Sequence, residues 1–379
     1  MRISRSCFWI FNNMNYNSAL YALYMVYKTT SPMSKYKSTG KQTFFDAENA
    51  AQKLSEIGNP LEKLDSVIDF EMFRSRLEEA MVNHSTKSNA GAKQYDVVMM
   101  FKVMVLRQYY NLSYEQTEYQ IIDRGSFKRS LGLASGDKVP DANTIRNFFE
   151  GLKEKGLGER LFQDFVDNLL EKGFIFNEGQ IVDASFVLAP RQRNSREENK
   201  KIKAGEGDEL WSDKPNKKRQ KDIDASWAQK GGEDFFGYKV SAKVDGKSKF
   251  VKKIVVTTAS PHDSKMFPDL MDESDRGQVT FADSAYVGQE ETLQKYGLKD
   301  EICEKGYRGN PLTDEQREEN RKKSVIRSRV EHVFGFMEGA MHGLTVRTIG
   351  IARATAHIFL KCLTYNMFRY EHFVRNGIR

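Results

Sequence analysis

Three carboxylates stand where a carboxylate needs a physical reason. Asp183 interrupts the apolar alternation of Gln180–Leu188, QIVDASFVL; Asp283 closes QVTFAD ahead of the small residues SAYVG; and Glu331 lies among valines, phenylalanines and arginines in Arg327–Gly339, RSRVEHVFGFMEG. A charge inside an apolar strand is costly unless something holds it there. Clustered carboxylates repel one another unless divalent cations lie among them, and hard oxygen ligands select Mg2+ or Mn2+. Two such ions activate a water or a 3′-hydroxyl and stabilise the leaving oxygen of an in-line phosphoryl displacement. Taken singly, each residue has a plainer reading. Asp183 is then a buried ion-pair member, Asp283 a turn residue, and Glu331 the exposed partner of Arg327 one helical turn earlier, worth roughly 0.2–0.5 kcal/mol.

Other chemistries find little support. The sequence has no GxxxxGK[ST] loop and no GxSxG elbow. Its three cysteines, Cys7, Cys303 and Cys362, lie far apart without ligand spacing, which argues against a disulfide framework or a zinc site and fits a reducing, cytoplasmic setting. Among 379 residues, 59 Lys and Arg face 52 Asp and Glu, and the pI is near 9.0. That balance favours an anionic partner such as nucleic acid. The longest apolar run near the start, Ala19–Tyr27, is too short to span a bilayer, so no membrane partner is expected.

The elements that would position the carboxylates follow from hydrophobic period. From Pro60 to about Gly173 the period is helical: Phe70–Val82 carries one apolar stripe, and Tyr95–Tyr110 is apolar nearly all round, as a buried central helix would be. The short segments SYEQTEYQIID and SFKRSLGL, a GDKVPD turn and ANTIRNFFEGLKEKG follow, with Asp141 placed as N-cap of the last. Thr144, Arg146 and Asn147 near that N-terminus suit a helix-turn-helix-like reader of a major groove; a helical scaffold without groove contact has the same pattern.

After Gly173 the period becomes 2. Strands are expected at Gln180–Leu188, Tyr238–Asp245 and Phe250–Ala259, then a helix through SKMFPDLMDE, a strand at QVTFADSAY, a helix at QEETLQKYG, a strand at DEICEKGY and a long helical region from Thr313. In that last region Ile326, Val330, Val333, Phe334 and Met337 form one stripe, with Glu331 on its flank. Three strands, helix, strand, helix, strand, helix is the order of the ribonuclease-H-like α/β fold. In it the first and fourth strands are neighbours and the late helix packs across them, so the three carboxylates can converge.

Between the first two strands lies a charged interruption at about 190–233. Arg191–Asp222 holds eleven Lys and Arg against seven Asp and Glu, the composition of a solvated or mobile loop. Leaving the strand that bears Asp183, it would hang over a site there, with Arg191 and Arg193 available to DNA phosphates. Trp227 either stacks on an unpaired base, worth roughly 1–3 kcal/mol, or anchors the loop. Pro261, His262 and Asp263 read as a strand-to-helix turn capped by Asp263.

Several blocks in order, IVDASFVLAPRQRNSREENK, DASWAQKGGEDFFGYKVSAKVD, VTTASPHDSK, FADSAYVG, RSRVEHVFGFMEG, GLTVRTIGIARA and LTYNMFRY, resemble bacterial insertion-sequence transposases of the DDE class, in the insertion sequence five family. The resemblance runs from about Met33 to the C-terminus. It implies a DNA transposase in which Asp183, Asp283 and Glu331 bind Mg2+, with Mn2+ as an alternative, cleave the terminal inverted repeats of an element and join them to target DNA. It also implies a homodimer on DNA, DNA or triad contacts from Arg327 and Arg329, and a less defined binding role for Tyr238 and Lys239. Many relatives carry a lysine seven residues after the glutamate, where this chain has Glu338.

The resulting division has residues 1–32 as a poorly structured upstream extension before a natural start at Met33, or else an ordinary N-terminal helix. A helical N-terminal DNA-binding domain follows at 33–175, then a ribonuclease-H-like catalytic domain at 176–379. Two alternatives remain beside an active transposase: a DNA-binding regulator derived from one and no longer catalytic, and a structure-selective nuclease of the same fold.

Overall fold

A computed structural model of the chain describes residues 44–82 and 93–378. The described residues divide into two units, one ending at Gln52 and the other beginning at Lys53. In the first, the described part holds the start of a helix, Asp46–Ile57, with Asp46 and Glu48 in its opening turn, where the helix dipole favours acids. The proposed upstream extension and Met33 lie outside the described residues.

In the second unit the period-2 stretch Gln180–Leu188 is the middle strand, β1, of a six-stranded sheet. On one side β3 (Glu233–Asp245) runs antiparallel to it and is followed outward by β4 (Val251–Thr258). On the other side β5 (Val279–Ala282) runs parallel to β1, followed by β6 (Lys299–Ile302). The order β4-β3-β1-β5-β6 is that of a ribonuclease-H-like sheet. An additional strand, β2 (Ser226–Lys230), makes a hairpin with the start of β3 through Gly231 and Gly232, both at positive φ. The second long strand therefore begins at Glu233, five residues before the expected Tyr238.

The charged interruption is folded, which corrects the reading of a solvated or mobile loop. Helices Arg196–Lys203 and Pro215–Arg219 and strand β2 occupy it. Glu198 is the anchor: with Ser195 it forms a capping box, and it accepts from Trp211 Nε1 at 2.6 Å and Lys217 Nζ at 3.0 Å. Buried Trp211 and Ile202 supply the apolar contacts that charge counting overlooks.

Two layers cover the sheet. On the face carrying Ile181 and Val187, the larger core runs without interruption from Leu61 to Phe373 and joins the sheet to the helical segment before it. Its centre is the C-terminal helix Ile351–Arg375, which packs against the helices Leu157–Glu171 and Val97–Tyr109 and against β4. Asn366 on that helix serves as a strand partner, accepting from Val251 N and donating to Val251 O, each at 2.9 Å. Buried Lys361 donates to the carbonyls of Gln108 at 3.2 Å and Met341 at 2.8 Å. The opposite face packs Val182 and Ala282 against Phe267, Leu270 and Leu293. The expected helix through SKMFPDLMDE is shorter, a 3-10 turn Asp263–Met266 and one α-turn Phe267–Leu270. Among the described residues, no helix is long and apolar enough to cross a membrane.

The late helical region starts at Thr313 through a capping box with Gln316, then departs from a single helix. Asp314–Arg327 ends in a 3-10 turn, Ser328–Val330, before a second α-helix, Glu331–Glu338. Val330, Val333 and Met337 are buried, while Ile326 and Phe334 are partly buried against the same core.

Gly237 marks where β1, β2 and β3 meet, facing Leu188 and Ser226 at φ 147°. A Cβ there would lie 2.2 Å from Val187 O and 2.7 Å from Ala189 N. Gly237→Ala is therefore expected to cost on the order of 3 kcal/mol through forced strand separation, measured as a lower urea midpoint at unchanged slope.

Candidate active site

Register places the two aspartates together. Because Gln180 and Ile181 pair in parallel with Thr280 and Phe281, the same register carried on puts Asp183, on β1, level with Asp283, the residue just past the end of β5. Asp183 projects from the face that otherwise builds the larger core, and its antiparallel partner, Ala242, is small enough to leave room. Its side chain is 17% exposed. Burial raises its pKa to about 6; the Ala184 N–H, donating to Oδ1 at 2.8 Å, opposes the rise, Asp283 adds to it, and Arg327 and Lys230 lower it. Asp283 caps the 3-10 turn Ser284–Tyr286, accepting from Ala285 N at 2.9 Å.

Glu331 stands at the start of its helix with a 61% exposed side chain. Arg327 lies between it and the aspartates, with Nη2 at 3.5 Å from Glu331 Oε1 and Nη1 at 3.9 Å from Asp183 Oδ2. The expected convergence thus brings Asp183 and Asp283 together and leaves Glu331 linked to Asp183 through Arg327. Among the described residues, no three acidic, His or Cys side chains are grouped closely enough to hold a metal ion. The donor chemistry of the aspartate pair fits a hard divalent cation; Glu331 stands apart from that pair, with Arg327 between them.

The remaining sequence candidates separate by exposure. Tyr238 is fully buried and donates its hydroxyl to Asp222 Oδ1 and Oδ2 at 2.8 and 2.7 Å, so its expected DNA contact is corrected to an internal one. Lys239, also buried, pairs with Asp263 at 2.6 Å and donates to Pro261 O at 2.7 Å. Asp263 is therefore a counter-ion, and His262 caps the 3-10 turn instead. Arg329 Nη1 donates to Gly246 O at 2.8 Å. Arg191 is exposed and lies over Trp227, 5.8 Å from the ring centroid; Arg193 is exposed too. Half-buried Trp227 packs on Phe236 at 5.1 Å and also lines a cleft of about 420 Å³ with Lys230, Lys239 and His262.

In the helical segment, Asp141 caps Ala142–Glu154 by accepting from Thr144 N at 2.7 Å, as its placement predicts. Arg146 and Asn147 are exposed on the first turns, and Thr144 is half-buried.

Two neighbours of the aspartates escape sequence reasoning. Tyr286 is buried with no partner for its hydroxyl among the described residues, and burial together with Asp263, Asp183 and Asp283 pushes its pKa up. Its only sequence signal is an aromatic three residues after Asp283. Lys230, at the exposed end of β2, acts on Asp183 from within the charged run, where one lysine among many carries no signal.

Residues 176–367, just over half of the chain, match the family model of the Transposase DDE domain, and residues 48–151 match that of a Transposase domain (DUF772). Among solved structures, the chain is similar to that of a piggyBac transposase synaptic complex with hairpin DNA, at 9% identity and a TM-score of 0.40, covering 86% of this chain and 77% of that one.

Two outcomes follow from the burial of these groups. Asp183 is ionised less readily in the folded chain, about 6 against an ordinary 3.8, so its effect is absent below about pH 4. Stability is lost as pH rises between those values, and the full penalty of about 2–3 kcal/mol stands above pH 7. In a chelated buffer Asp183→Asn should raise the unfolding midpoint at pH 7.5 and leave it unchanged at pH 4; an equal rise at both would contradict a charge-burial origin. Tyr238→Phe should lower stability by about 1–3 kcal/mol by leaving Asp222 short of a donor. DNA affinity in a mobility-shift titration should not move.

Proposed function

Since the chain belongs to the DDE transposase family, a family of enzymes that cut and join DNA strands, we propose that Asp183 and Asp283 form the core of its reaction centre and that Glu331 completes it. One observation carries this reading: two aspartates at matching heights, one mostly buried on a core face of the central strand and the other just past the end of the neighbouring parallel strand. A structural role would be met more cheaply by an apolar side chain at Asp183. The aspartates would hold Mg2+ or Mn2+, which when bound supplies activation of the attacking oxygen and stabilisation of the leaving one. The chain's own residues do the rest. Asp183, locked by the Ala184 N–H, fixes the ligand direction. Arg327 balances Asp183 and Glu331 and would be available to a DNA phosphate, which would free Glu331. Lys230 at the end of β2 contributes positive charge on the approach to Asp183.

The substrate in this reading is double-stranded DNA carrying the element's terminal inverted repeats, with target DNA as the second partner. Two chains acting as a homodimer would hold two ends at once. Arg146, Asn147, Arg191 and Arg193, all exposed, are the proposed phosphate or groove contacts, with the helical segment before residue 176 as the DNA-binding part.

The regulator alternative draws on Arg327 lying within 3.9 Å of Asp183 and on Glu331 being held away. Incubation with linear DNA bearing the inverted repeats, with and without Mg2+, separates the readings. Wild type should nick at the repeat ends only with the metal, and Asp183→Asn should lose on the order of 10³-fold in rate while binding the ends unchanged. Equal binding without cleavage by either protein would leave the regulator; cleavage that ignores the repeats would point to the nuclease.

A further inference from the structure

At the 246–249 turn between β3 and β4, cations from three separate elements meet, one of them over an aromatic ring. Lys249 holds a left-handed backbone at φ 67°, uncommon for a lysine. Its amide donates to Asp245 O at 2.9 Å and its carbonyl accepts the Tyr365 hydroxyl at 3.0 Å, so the strained turn is fixed from both sides. The Lys249 ammonium lies 3.2 Å from Nδ1 of His332, the residue after Glu331. Arg369, from the C-terminal helix, donates Nε to Ser248 O at 2.9 Å and lies over the Phe373 ring at 4.7 Å. Arg329 joins the same turn from the late helical region through Gly246 O.

Among the described residues, none of Lys249, Arg329 and Arg369 has a carboxylate within 4.0 Å. Burial first, then Arg369 and Arg329, push the Lys249 pKa down, as for a cationic group without its anion. Lys249 and Arg369 edge a cleft of about 420 Å³ whose floor includes the half-buried rings of Tyr109 and Phe336. Tyr109 is stacked on Phe368 at 4.0 Å and Phe336 meets Tyr365 edge-on at 5.6 Å, which fixes both platforms. Glu371 on the rim already pairs with Arg375 at 2.9 Å.

We propose that this cleft binds an unpaired DNA strand, with a phosphate on Lys249 and Arg369 and a base against Tyr109 and Phe336. A basic edge over aromatic platforms is how proteins hold single strands without reading sequence. A duplex presents phosphates but keeps its base faces stacked, so it would leave the aromatic floor unused. The inference rests on the reading of the chain as a DNA-cutting enzyme. His332 adjoining Glu331 places the cleft on the same helix as the proposed third ligand.

The test uses the full chain in chelated buffer, fluorescein-labelled oligothymidylate, and a duplex of equal length, followed by anisotropy across a salt series. Lys249→Asn tolerates the left-handed backbone and should lower the salt slope for oligothymidylate by about 0.7, one phosphate. Phe336→Leu should weaken oligothymidylate about tenfold, with duplex affinity little changed for either variant. Saturating oligothymidylate should also protect Lys249 of the unaltered chain from acetylation, read by peptide mass spectrometry, a measurement independent of how the variants fold. Unchanged affinity and slope with Lys249 still reactive would overturn the cleft while duplex binding and cleavage keep the transposase reading intact. Equal losses on duplex would overturn the unpaired-strand assignment. A chain that binds neither DNA would sink the functional reading itself.

Discussion

Burying one carboxylate, Asp183, on the core face of the central strand is the constraint around which the rest is arranged. Isolated ionised groups do not survive in an apolar interior; they neutralise or find compensation. Here the compensation is partial. One backbone N–H, a guanidinium at 3.9 Å and a lysine at the end of β2 act against burial and a neighbouring aspartate, and the group remains raised to about 6. A residue kept this far from its ordinary behaviour is expensive for stability and useful for chemistry. The small partner Ala242 and the short strand β5, ending just before Asp283, are the local concessions that make the arrangement possible.

Those concessions need a rigid frame, and the C-terminal helix supplies it. Sixteen of its residues are buried, including Lys361, Thr364 and Asn366, whose polar groups are all satisfied by backbone atoms of other elements or of the helix itself. Asn366 closes the edge of β4, and Lys361 ties the central helix to the segment after Glu338. The helical segment and the sheet therefore share one continuous core. Displacing any part of it would disturb the strand heights that set Asp183 beside Asp283.

The strand order and the two aspartates were legible because both signals are local. Alternation marks a half-buried strand, and a charge within it stands out. What was not legible depends on partners distant in sequence. Tyr238 looks like a surface aromatic in YKVSAKVD until Asp222 is found beneath it. The charged run looks solvated until Glu198 is seen to collect Ser195, Trp211 and Lys217. Its capping box, SREE, is visible in the sequence, but the net charge of the whole stretch masks it. Tyr286 and Lys230 acquire meaning only through proximity to Asp183, which no spacing rule contains.

The break at Ser328–Val330 shows why the position of Glu331 was harder still. A continuous helix would carry Arg327, Arg329 and Glu331 round at 3.6 residues per turn. The tighter 3-10 turn shifts the second helix relative to the first, so that Arg327 stays with Asp183 while Arg329 reaches Gly246. Buried Val330, Val333 and Met337 then hold the shifted helix against the core. One irregular turn thus distributes the positive charge of a short motif over two places, the aspartate pair and the β3–β4 turn, and leaves Glu331 exposed between them. The two arginines are held differently: Arg327 contacts carboxylates, at 3.5 and 3.9 Å, whereas Arg329 has a backbone partner, Gly246 O, at 2.8 Å.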